Sequence, residues 1–189
     1  SVESFDDRVP NRGEAVIDVD ACSLNHHDLW TLNGDLWDGE DDLPFVAGMD
    51  VAGTVTAVGD GVTDVAVGDR VLLSPNESCD SCRYCRDRLE THCPEFSLYH
   101  GGLAEKALVQ ADRLIELPDN VGSVQAAAIP VAYMTALRML KLADVGVGDL
   151  VFVPGATGGV GVASIQLIDA LGARSIGTST SAQKLDRLG

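Results

Sequence analysis

Four of the five cysteines of this 189-residue chain lie within fifteen residues, and this cluster constrains the fold more than any other feature. The spacing is Cys79-x2-Cys82-x2-Cys85-x7-Cys93, in a polar loop that contains arginine. Four thiolates at this spacing can surround one Zn²⁺ ion and leave no open coordination position, which is typical of a structural site that stabilises an otherwise weak loop. An iron–sulfur cluster is the alternative, although the nearest bacterial pattern ends with a different gap. We predict one structural zinc, and we interpret Cys22 as a small buried apolar residue.

The hydrophobic pattern changes along the chain. Up to about residue 122, short alternating or β-branched segments such as 14–21 and 51–58 are separated by Gly, Asp and Pro, which is typical of a partly open β-barrel. Further on, an apolar run at 150–153 precedes a helical segment and a second strand at 175–178, which predicts a parallel sheet. We predict one domain at 1–125, carrying the cysteine lobe at 76–96, and a second domain at 126–189.

A glycine-rich turn joins the first strand of the second domain to its helix. Its pattern is Gly155-x2-Gly158-x2-Gly161. Glycine lets the backbone approach a pyrophosphate, and the free N–H groups at the start of a helix attract negative charge. A tight turn without a ligand is the alternative. We predict a dinucleotide site at Gly155, Ala156, Thr157, Gly158, Gly159, Val160 and Gly161.

The end of the second strand bears on the choice of dinucleotide. An acidic residue there would bind the ribose 2′-hydroxyl of NAD(H). This chain instead has a run of hydroxyl side chains followed by a cation, a set that suits a 2′-phosphate. We therefore predict that NADP(H) is bound in preference to NAD(H), by Thr178, Ser179, Thr180, Ser181 and Lys184.

The chain is strongly acidic, with 29 Asp and Glu against 13 Lys and Arg and a formal net charge of −16. Such a field repels phosphate backbones and excludes nucleic acid as a partner. The acids comprise 21 Asp and 8 Glu, and only 3 of the bases are Lys. This balance favours a halophilic protein, with an ordinary acidic mesophilic protein as the alternative. No apolar run approaches the roughly 18 residues of a membrane span, so we expect a cytoplasmic protein and no membrane partner.

Several motifs together resemble the medium-chain dehydrogenase/reductase superfamily, in its zinc-containing alcohol dehydrogenase and quinone reductase branches. They are segments 21–30, 48–55, 67–71 and 101–105, the cysteine lobe and the glycine-rich turn. The resemblance implies a GroES-like β domain followed by a Rossmann domain that is incomplete here. It also implies hydride transfer in the cleft between the domains, and oligomers of two or four chains.

The positions that carry the catalytic zinc in the resembling family differ in this chain. They correspond to Asn25, three residues before Asp28, to Met49 and to Val131. None of these side chains is a good zinc ligand, so we expect no catalytic metal. A site rebuilt from His26, His27 or Asp50 is the alternative.

The resemblance also suggests roles for individual residues. Asn25 matches the asparagine of the zinc-free reductases, which polarise a carbonyl through hydrogen bonds. His27 falls where the family has its proton-relay hydroxyl, and an imidazole titrates in the useful range; a surface histidine is the alternative. Asp28 and Asp50 are expected to orient their neighbours, and Thr135 to lie near the nicotinamide ring unless it is an ordinary helical residue.

These observations favour an NADP-dependent oxidoreductase of the zinc-containing alcohol dehydrogenase family, which transfers hydride between nicotinamide and an alcohol or carbonyl compound. A zinc-independent quinone or enone reductase is the first alternative. A non-catalytic, truncated cofactor-binding fragment is the second, because a six-stranded dinucleotide sheet needs more residues than follow Gly148. We expect that the chain is part of a longer enzyme or that its parallel strands pair with another chain.

Overall fold

The computed structural model describes residues 3–34 and 45–188, and the chain divides into two compact units, Ser1–Pro130 and Val131–Gly189. Helix α3 (Ser123–Ala127) explains why the first unit extends past residue 125, where the sequence analysis set the boundary. Ala126 and Ala127 of this short helix are buried against Ala52 and Leu117 of the first unit. Their small side chains give little sign in the sequence of which unit they pack against.

The first unit is built on a five-stranded antiparallel sheet in the order β6-β1-β2-β3-β7. Strand β2 lies at its centre, and the neighbouring β1 pairs with β2 on one side and with the edge strand β6 on the other. The β1–β2 ladder changes register twice, between Val16 and Ile17 and between Val19 and Ala21, and such bulges increase the twist of a sheet. The strands are β1 (Glu14–Ser23), β2 (Asp50–Val58), β3 (Arg70–Leu73), β6 (Lys106–Gln110) and β7 (Leu114–Glu116).

Alternating burial explains why these segments form strands. Ile17, Val51, Val55 and Val71 point into one apolar cluster, as the period of two in a half-buried sheet requires. Gly53 of β2 lies so close to β1 that a Cβ atom would come within 2.0 Å of the carbonyl oxygen of Asp18. The close pairing at this point therefore requires glycine.

The remaining elements of the first unit are short. Strands β4 (Asn76–Glu77) and β5 (Ser97–Leu98) form a separate two-stranded sheet at the base of the cysteine lobe. The helices are α1 (His26–Leu32), α2 (Arg83–Arg86) and α3 (Ser123–Ala127), with 3-10 turns at Glu90–His92 and Ala111–Arg113.

The second unit contains a parallel strand pair with its crossover helix. Strands β8 (Leu150–Pro154) and β9 (Arg174–Thr178) pair in parallel, and helix α5 (Gly159–Ala170) connects them. Val153, Ala156 and Ile168 form the core of the unit with Leu140 of helix α4 (Pro130–Leu142). The short helix α6 (Ala182–Leu185) follows β9. The parallel sheet that the sequence predicts is confirmed for these two strands.

None of the helices in the described ranges is both long and apolar enough to cross a membrane.

Candidate functional site

The cysteine lobe brings its four sulfur atoms together. The sheet of β4 and β5 closes the base of the lobe, and Cys82 is the N-cap of α2, from which Cys85 projects one turn later. The four Sγ atoms lie within 4.8 Å of one another, with separations of 3.5 Å for Cys82–Cys85, 3.5 Å for Cys79–Cys93 and 3.9 Å for Cys79–Cys85. A ZnS4 tetrahedron with bonds of about 2.3 Å has edges of about 3.8 Å. The sulfur positions therefore fit one tetrahedral ion.

The surroundings of the sulfur atoms differ from one cysteine to the next. Hydrogen bonds from the backbone N–H groups of Ser81 and Cys82 lower the pKa of Cys79 to about 6. Burial raises the pKa of Cys85 to about 11, and hydrogen bonds with the other thiols add to that rise. Backbone amides thus donate to the Cys79 sulfur atom, and the other three sulfur atoms lie close to it. A bound cation would replace the thiol protons at this position.

Arg113 attaches the cysteine lobe to the main sheet, and the sequence analysis missed it. Its guanidinium donates to the hydroxyl of Ser78 at 3.2 Å and to the carboxylate of Asp80, the two neighbours of Cys79. The Arg113 side chain is only 16% exposed, whereas that of Asp80 is 53% exposed. The contacts span 33 and 35 positions of the chain, so no local pattern could have revealed them.

A second cluster of polar residues lies where α1 begins. Asn25 is the N-cap of α1. The Asp28 carboxylate accepts hydrogen bonds from the backbone N–H of Asn25 at 2.7 Å and from the backbone N–H of Gly48 at 3.0 Å. The side-chain amide of Asn25 donates to the Asp50 carboxylate at 3.0 Å. Asp28 and Asp50 are 4% and 0% exposed. Two buried carboxylates therefore hold the start of the helix and the Asn25 amide in place.

Two histidines lie next to this cluster. The His27 ring centroid is 5.3 Å from that of His100, and Phe45 packs edge-on against His100 at 4.9 Å. The Thr31 hydroxyl donates to the His27 carbonyl oxygen at 2.9 Å and lies 3.4 Å from His27 Nδ1. The sequence analysis missed Thr31 and His100. The four-residue spacing of His27 and Thr31 on one helix was a usable signal, whereas nothing local indicates His100.

Cys22 lies on β1 beside the two carboxylates. Burial raises the pKa of its thiol to about 11, and the negative charges of Asp28 and Asp50 raise it further. Cβ atoms at Gly48 and Gly102 would come within 2.8 and 3.0 Å of its sulfur atom. Cys22 is therefore a protonated thiol that fills space between these glycines.

The glycine-rich turn has the geometry that a phosphate site needs. Gly155 has a φ of +67°, and Gly158 is the N-cap of α5. A Cβ at Gly161 would come within 2.4 Å of the Gly155 carbonyl oxygen, so close packing accounts for that glycine. Close packing does not account for the other two glycines. The nearest atom to a Cβ would be 3.5 Å away at Gly158 and 4.0 Å away at Gly159. The first N–H groups of α5 lack helical partners and face this open backbone.

The hydroxyl residues after β8 and β9 are linked. Thr157 Oγ1 lies 2.8 Å from Ser179 Oγ, which also accepts from the backbone N–H of Ser181 at 3.2 Å. Ser181 in turn caps α6 by accepting from the Lys184 N–H. Thr178, Thr180 and Lys184 are exposed. Hydrogen bonds thus connect the glycine-rich turn to the end of β9. Thr135, the other predicted residue of this unit, is exposed on α4.

The first unit also matches a known family. A family model described as "Alcohol dehydrogenase GroES-like domain" matches residues 11–119, more than half of the chain. The chain belongs to the alcohol dehydrogenase family. The predicted superfamily and fold class, a GroES-like domain followed by part of a Rossmann-like parallel sheet, are confirmed.

The relatives of this alcohol dehydrogenase family member include alcohol dehydrogenases and acryloyl-coenzyme A reductases. An alcohol dehydrogenase of Schizosaccharomyces pombe is 33% identical over 94% of this chain and 52% of its own length. An acryloyl-coenzyme A reductase of Metallosphaera sedula is 33% identical over 100% of this chain and 57% of its own length. A crystal structure of an NAD-dependent alcohol dehydrogenase superposes with a TM-score of 0.93 at 36% identity, covering 98% of this chain and 55% of that one. The chain spans about half the length of the relatives it matches.

In the described part of this alcohol dehydrogenase family member, one group of side chains is placed to share a metal ion. There, the cysteine quartet is the only group of three or more His, Cys, Asp or Glu side chains close enough to share an ion. His26 is exposed and packs against Trp30, with ring centroids 6.0 Å apart, rather than joining His27 and Asp50. In the described residues His26, His27 and Asp50 do not form such a group, and the alternative of a catalytic metal site rebuilt from them stays a prediction. Met49 is fully buried and offers only a weak thioether ligand.

Proposed function

We propose that this chain is an oxidoreductase that uses NADP(H) to interconvert a small carbonyl compound and its alcohol, without a zinc ion at the reaction centre. The open backbone at Gly158 and Gly159, at the start of α5, carries the proposal, because packing gives no reason for glycine there. The family relationship supports the same reaction class.

The turn and the strand end would hold the nucleotide. Backbone N–H groups at 159–161 are available for a pyrophosphate, and the hydroxyls of Thr178, Ser179, Thr180 and Ser181 with Lys184 suit a 2′-phosphate. The bound cofactor supplies the hydride chemistry. The chain has 29 acidic residues, but none of them lies in the segment 178–181 at the end of β9. This lack of a carboxylate favours NADP(H) over NAD(H).

Asn25 would polarise the substrate carbonyl. Because the Asp50 carboxylate can only accept, the Asn25 amide nitrogen faces it and uses one of its two N–H groups there. The second N–H is left for a substrate oxygen. A fixed donor in a partly buried site stabilises negative charge on that oxygen without having to reorient. Asp28 and Asp50 are positioning residues in this arrangement, and His27 would carry the proton.

The cysteine quartet would hold one structural zinc ion. Four sulfur ligands leave no position for a substrate, so the ion would stabilise the lobe and take no part in hydride transfer. Arg113 would contribute by holding Ser78 and Asp80 on either side of Cys79.

An activated alkene is a second candidate substrate. The similarity to an acryloyl-coenzyme A reductase favours it, because the acryloyl group is an alkene conjugated to a carbonyl. The same Asn25 donor would bind that carbonyl oxygen while hydride adds at the far end of the double bond. A panel of aldehydes, ketones, enones and quinones, each tested with NADPH oxidation as the readout, separates the two substrate classes.

Ser179, the first residue after β9, provides the test of the cofactor. We expect Ser179→Asp to weaken NADPH binding at least tenfold by repelling the 2′-phosphate, and to strengthen NADH binding. Ser179→Asn is the matched control, since it has a similar size and no charge, and it should weaken NADPH binding far less. Fluorescence titration of both cofactors gives the dissociation constants. Absence of any cofactor binding or turnover by the parent protein would reject the proposal and favour a non-catalytic fragment.

We expect the active form to contain two or four copies of the chain, as the family resemblance implies. Light scattering with in-line gel filtration measures the mass of the particle, and a monomeric particle with full turnover would contradict this.

A further inference from the structure

His27 and His100 form a close imidazole pair drawn from two distant parts of the chain. His27 belongs to α1, and His100 precedes Gly101 and Gly102, whose N–H groups bond to the Gly48 carbonyl at 3.1 and 2.9 Å. The two ring centroids are 5.3 Å apart with an interplanar angle of 35°. Phe45 closes the other side of His100. The rings thus lie beside the Asn25–Asp28–Asp50 cluster without being part of its hydrogen bonds.

Thr31 fixes which nitrogen of His27 carries the proton. The Thr31 hydroxyl gives its own proton to the His27 carbonyl oxygen, so its oxygen can only accept from Nδ1, 3.4 Å away. The neutral His27 ring therefore has its proton on Nδ1 and a free lone pair on Nε2. That is the nitrogen through which His27 can take up or release a proton.

His100 is held in an environment that disfavours a positive charge. Burial lowers the pKa of His100, and the positive charge of a protonated His27 lowers it further, against the opposing attraction of Asp28. Within the described ranges, its Nδ1 is buried and has no hydrogen-bond partner. Asp50 on β2 and Cys22 on β1 belong to the neighbouring cluster, where Asp50 accepts from the Asn25 amide and adds to the effect of burial in raising the pKa of the Cys22 thiol. A pair of adjacent imidazoles in such a place holds one proton more readily than two.

We propose that His100 is a positioning residue for His27: its ring holds the His27 ring so that Nε2 delivers a proton to the substrate oxygen. This rests on the proposed function. In the reducing direction, the bound cofactor would supply hydride to the carbonyl carbon, and the N–H bond at His27 Nε2 would break as the oxygen–hydrogen bond of the alcohol forms. His27 is left neutral and regains its proton from solvent. Burial and a protonated His27 lower the pKa of His100, so His100 competes less for that proton.

The kinetic test compares two substitutions of His100. We expect His100→Ala to lower kcat about tenfold, with the KM for NADPH unchanged, because proton transfer by a misplaced group loses most of its advantage. His100→Phe keeps an aromatic ring against His27 and Phe45, and it should recover most of the lost kcat. Zinc content and the thermal unfolding midpoint show whether each variant is folded. Equal kcat in the parent protein and a folded His100→Ala variant would overturn the proposal.

A test that does not depend on turnover uses the imidazole resonances. We expect the nitrogen shifts of neutral His27 to report a single tautomer with the proton on Nδ1 in the parent protein, because His100 holds the ring against the Thr31 hydroxyl. In His100→Ala the ring can turn away from Thr31, and we expect a mixture of tautomers. We also expect His27→Phe to raise the pKa of His100, since it removes a neighbouring positive charge. His26→Gln, on the same helix but packed against Trp30, is the matched control and should leave both unchanged.

The two tests separate the two proposals. Coupled imidazoles in a protein that turns over no substrate would reject the proposed function, and with it the proton transfer from His27. An unchanged His27 tautomer in His100→Ala and an unchanged His100 pKa in His27→Phe would reject the role of His100 alone.

Discussion

Single residues in this chain do their work through partners that are far away in sequence. Asn25 depends on Asp50, and His27 depends on Thr31 and His100, although only Thr31 lies on the same helix. Asp28 joins the start of α1 to Gly48, twenty positions further on. The candidate site is therefore built from pairs of contacting residues rather than from a contiguous motif.

Asn25 provides the sharpest test at this scale. We expect Asn25→Ala to lower kcat about 100-fold, which is typical of removing one fixed donor to a developing oxyanion. The dissociation constant of NADPH should not change, because the proposed cofactor residues lie in the second unit. Asn33→Ala, at the C-cap of the same helix, is the control and should retain the parent kcat. Steady-state kinetics gives both values, and a parental kcat in Asn25→Ala would remove this residue from the mechanism.

At the scale of elements, we expect the cysteine lobe to need a bound metal ion for its stability. Between its short strands the lobe has a single turn of α-helix and a 3-10 turn, and of its four cysteines Cys93 alone is buried. Elements this short cannot supply a hydrophobic core, so a metal crosslink should supply most of the stability of the lobe.

We expect Cys82→Ser to reduce the zinc content from one ion per chain to a small fraction and to lower the thermal unfolding midpoint. Serine is a poor zinc ligand, and the three remaining thiolates cannot close the coordination sphere. Cys22→Ser changes a thiol outside the quartet, and it should keep one zinc per chain. Metal analysis after gel filtration measures this. Full zinc content in Cys82→Ser would contradict a four-sulfur site.

Two glycines of the glycine-rich turn are expected to serve different purposes, Gly158 in cofactor binding and Gly161 in packing. We expect Gly158→Ala to weaken NADPH binding about tenfold or more while leaving the fold intact, because its φ of −83° suits alanine and its Cβ has room. Gly161→Ala is the contrasting variant, since its Cβ would press on the Gly155 carbonyl and cost about 1–3 kcal/mol of the free energy of unfolding. Cofactor titration and denaturant unfolding measure the two effects. The reverse pattern would mean that Gly158 serves packing.

The whole molecule carries a charge of −16, which opposes its own compaction. We expect the thermal unfolding midpoint to rise when KCl is increased from about 0.1 to 1 M, as the screening length falls from about 10 to 3 Å. Each kcal/mol of relieved repulsion should raise the midpoint by about 2–4 °C. Sucrose at matched osmolality is the control, because it stabilises folded proteins without screening charge. A midpoint that does not respond to salt would favour an ordinary acidic protein over a halophilic one.

The sequence by itself determined the fold class, the cysteine quartet and the glycine-rich turn. Each of these features follows from a short-range pattern in the sequence. The patterns are sulfur ligands a few residues apart, alternation with period two in the strands, and glycines between a strand and a helix. Local spacing is sufficient here because the backbone geometry of a single element sets which of its side chains lie together.

Only the tertiary structure decided which residues surround His27 and Cys79, and to which unit α3 belongs. The contacts of His100 and Arg113 join segments that are dozens of residues apart, and the alanines of α3 are too small to indicate the core they enter. It also separated His26 from His27, since adjacent residues on a helix point in directions about 100° apart and only one of them can face the site. Such pairings depend on how the elements pack, and no local pattern encodes that.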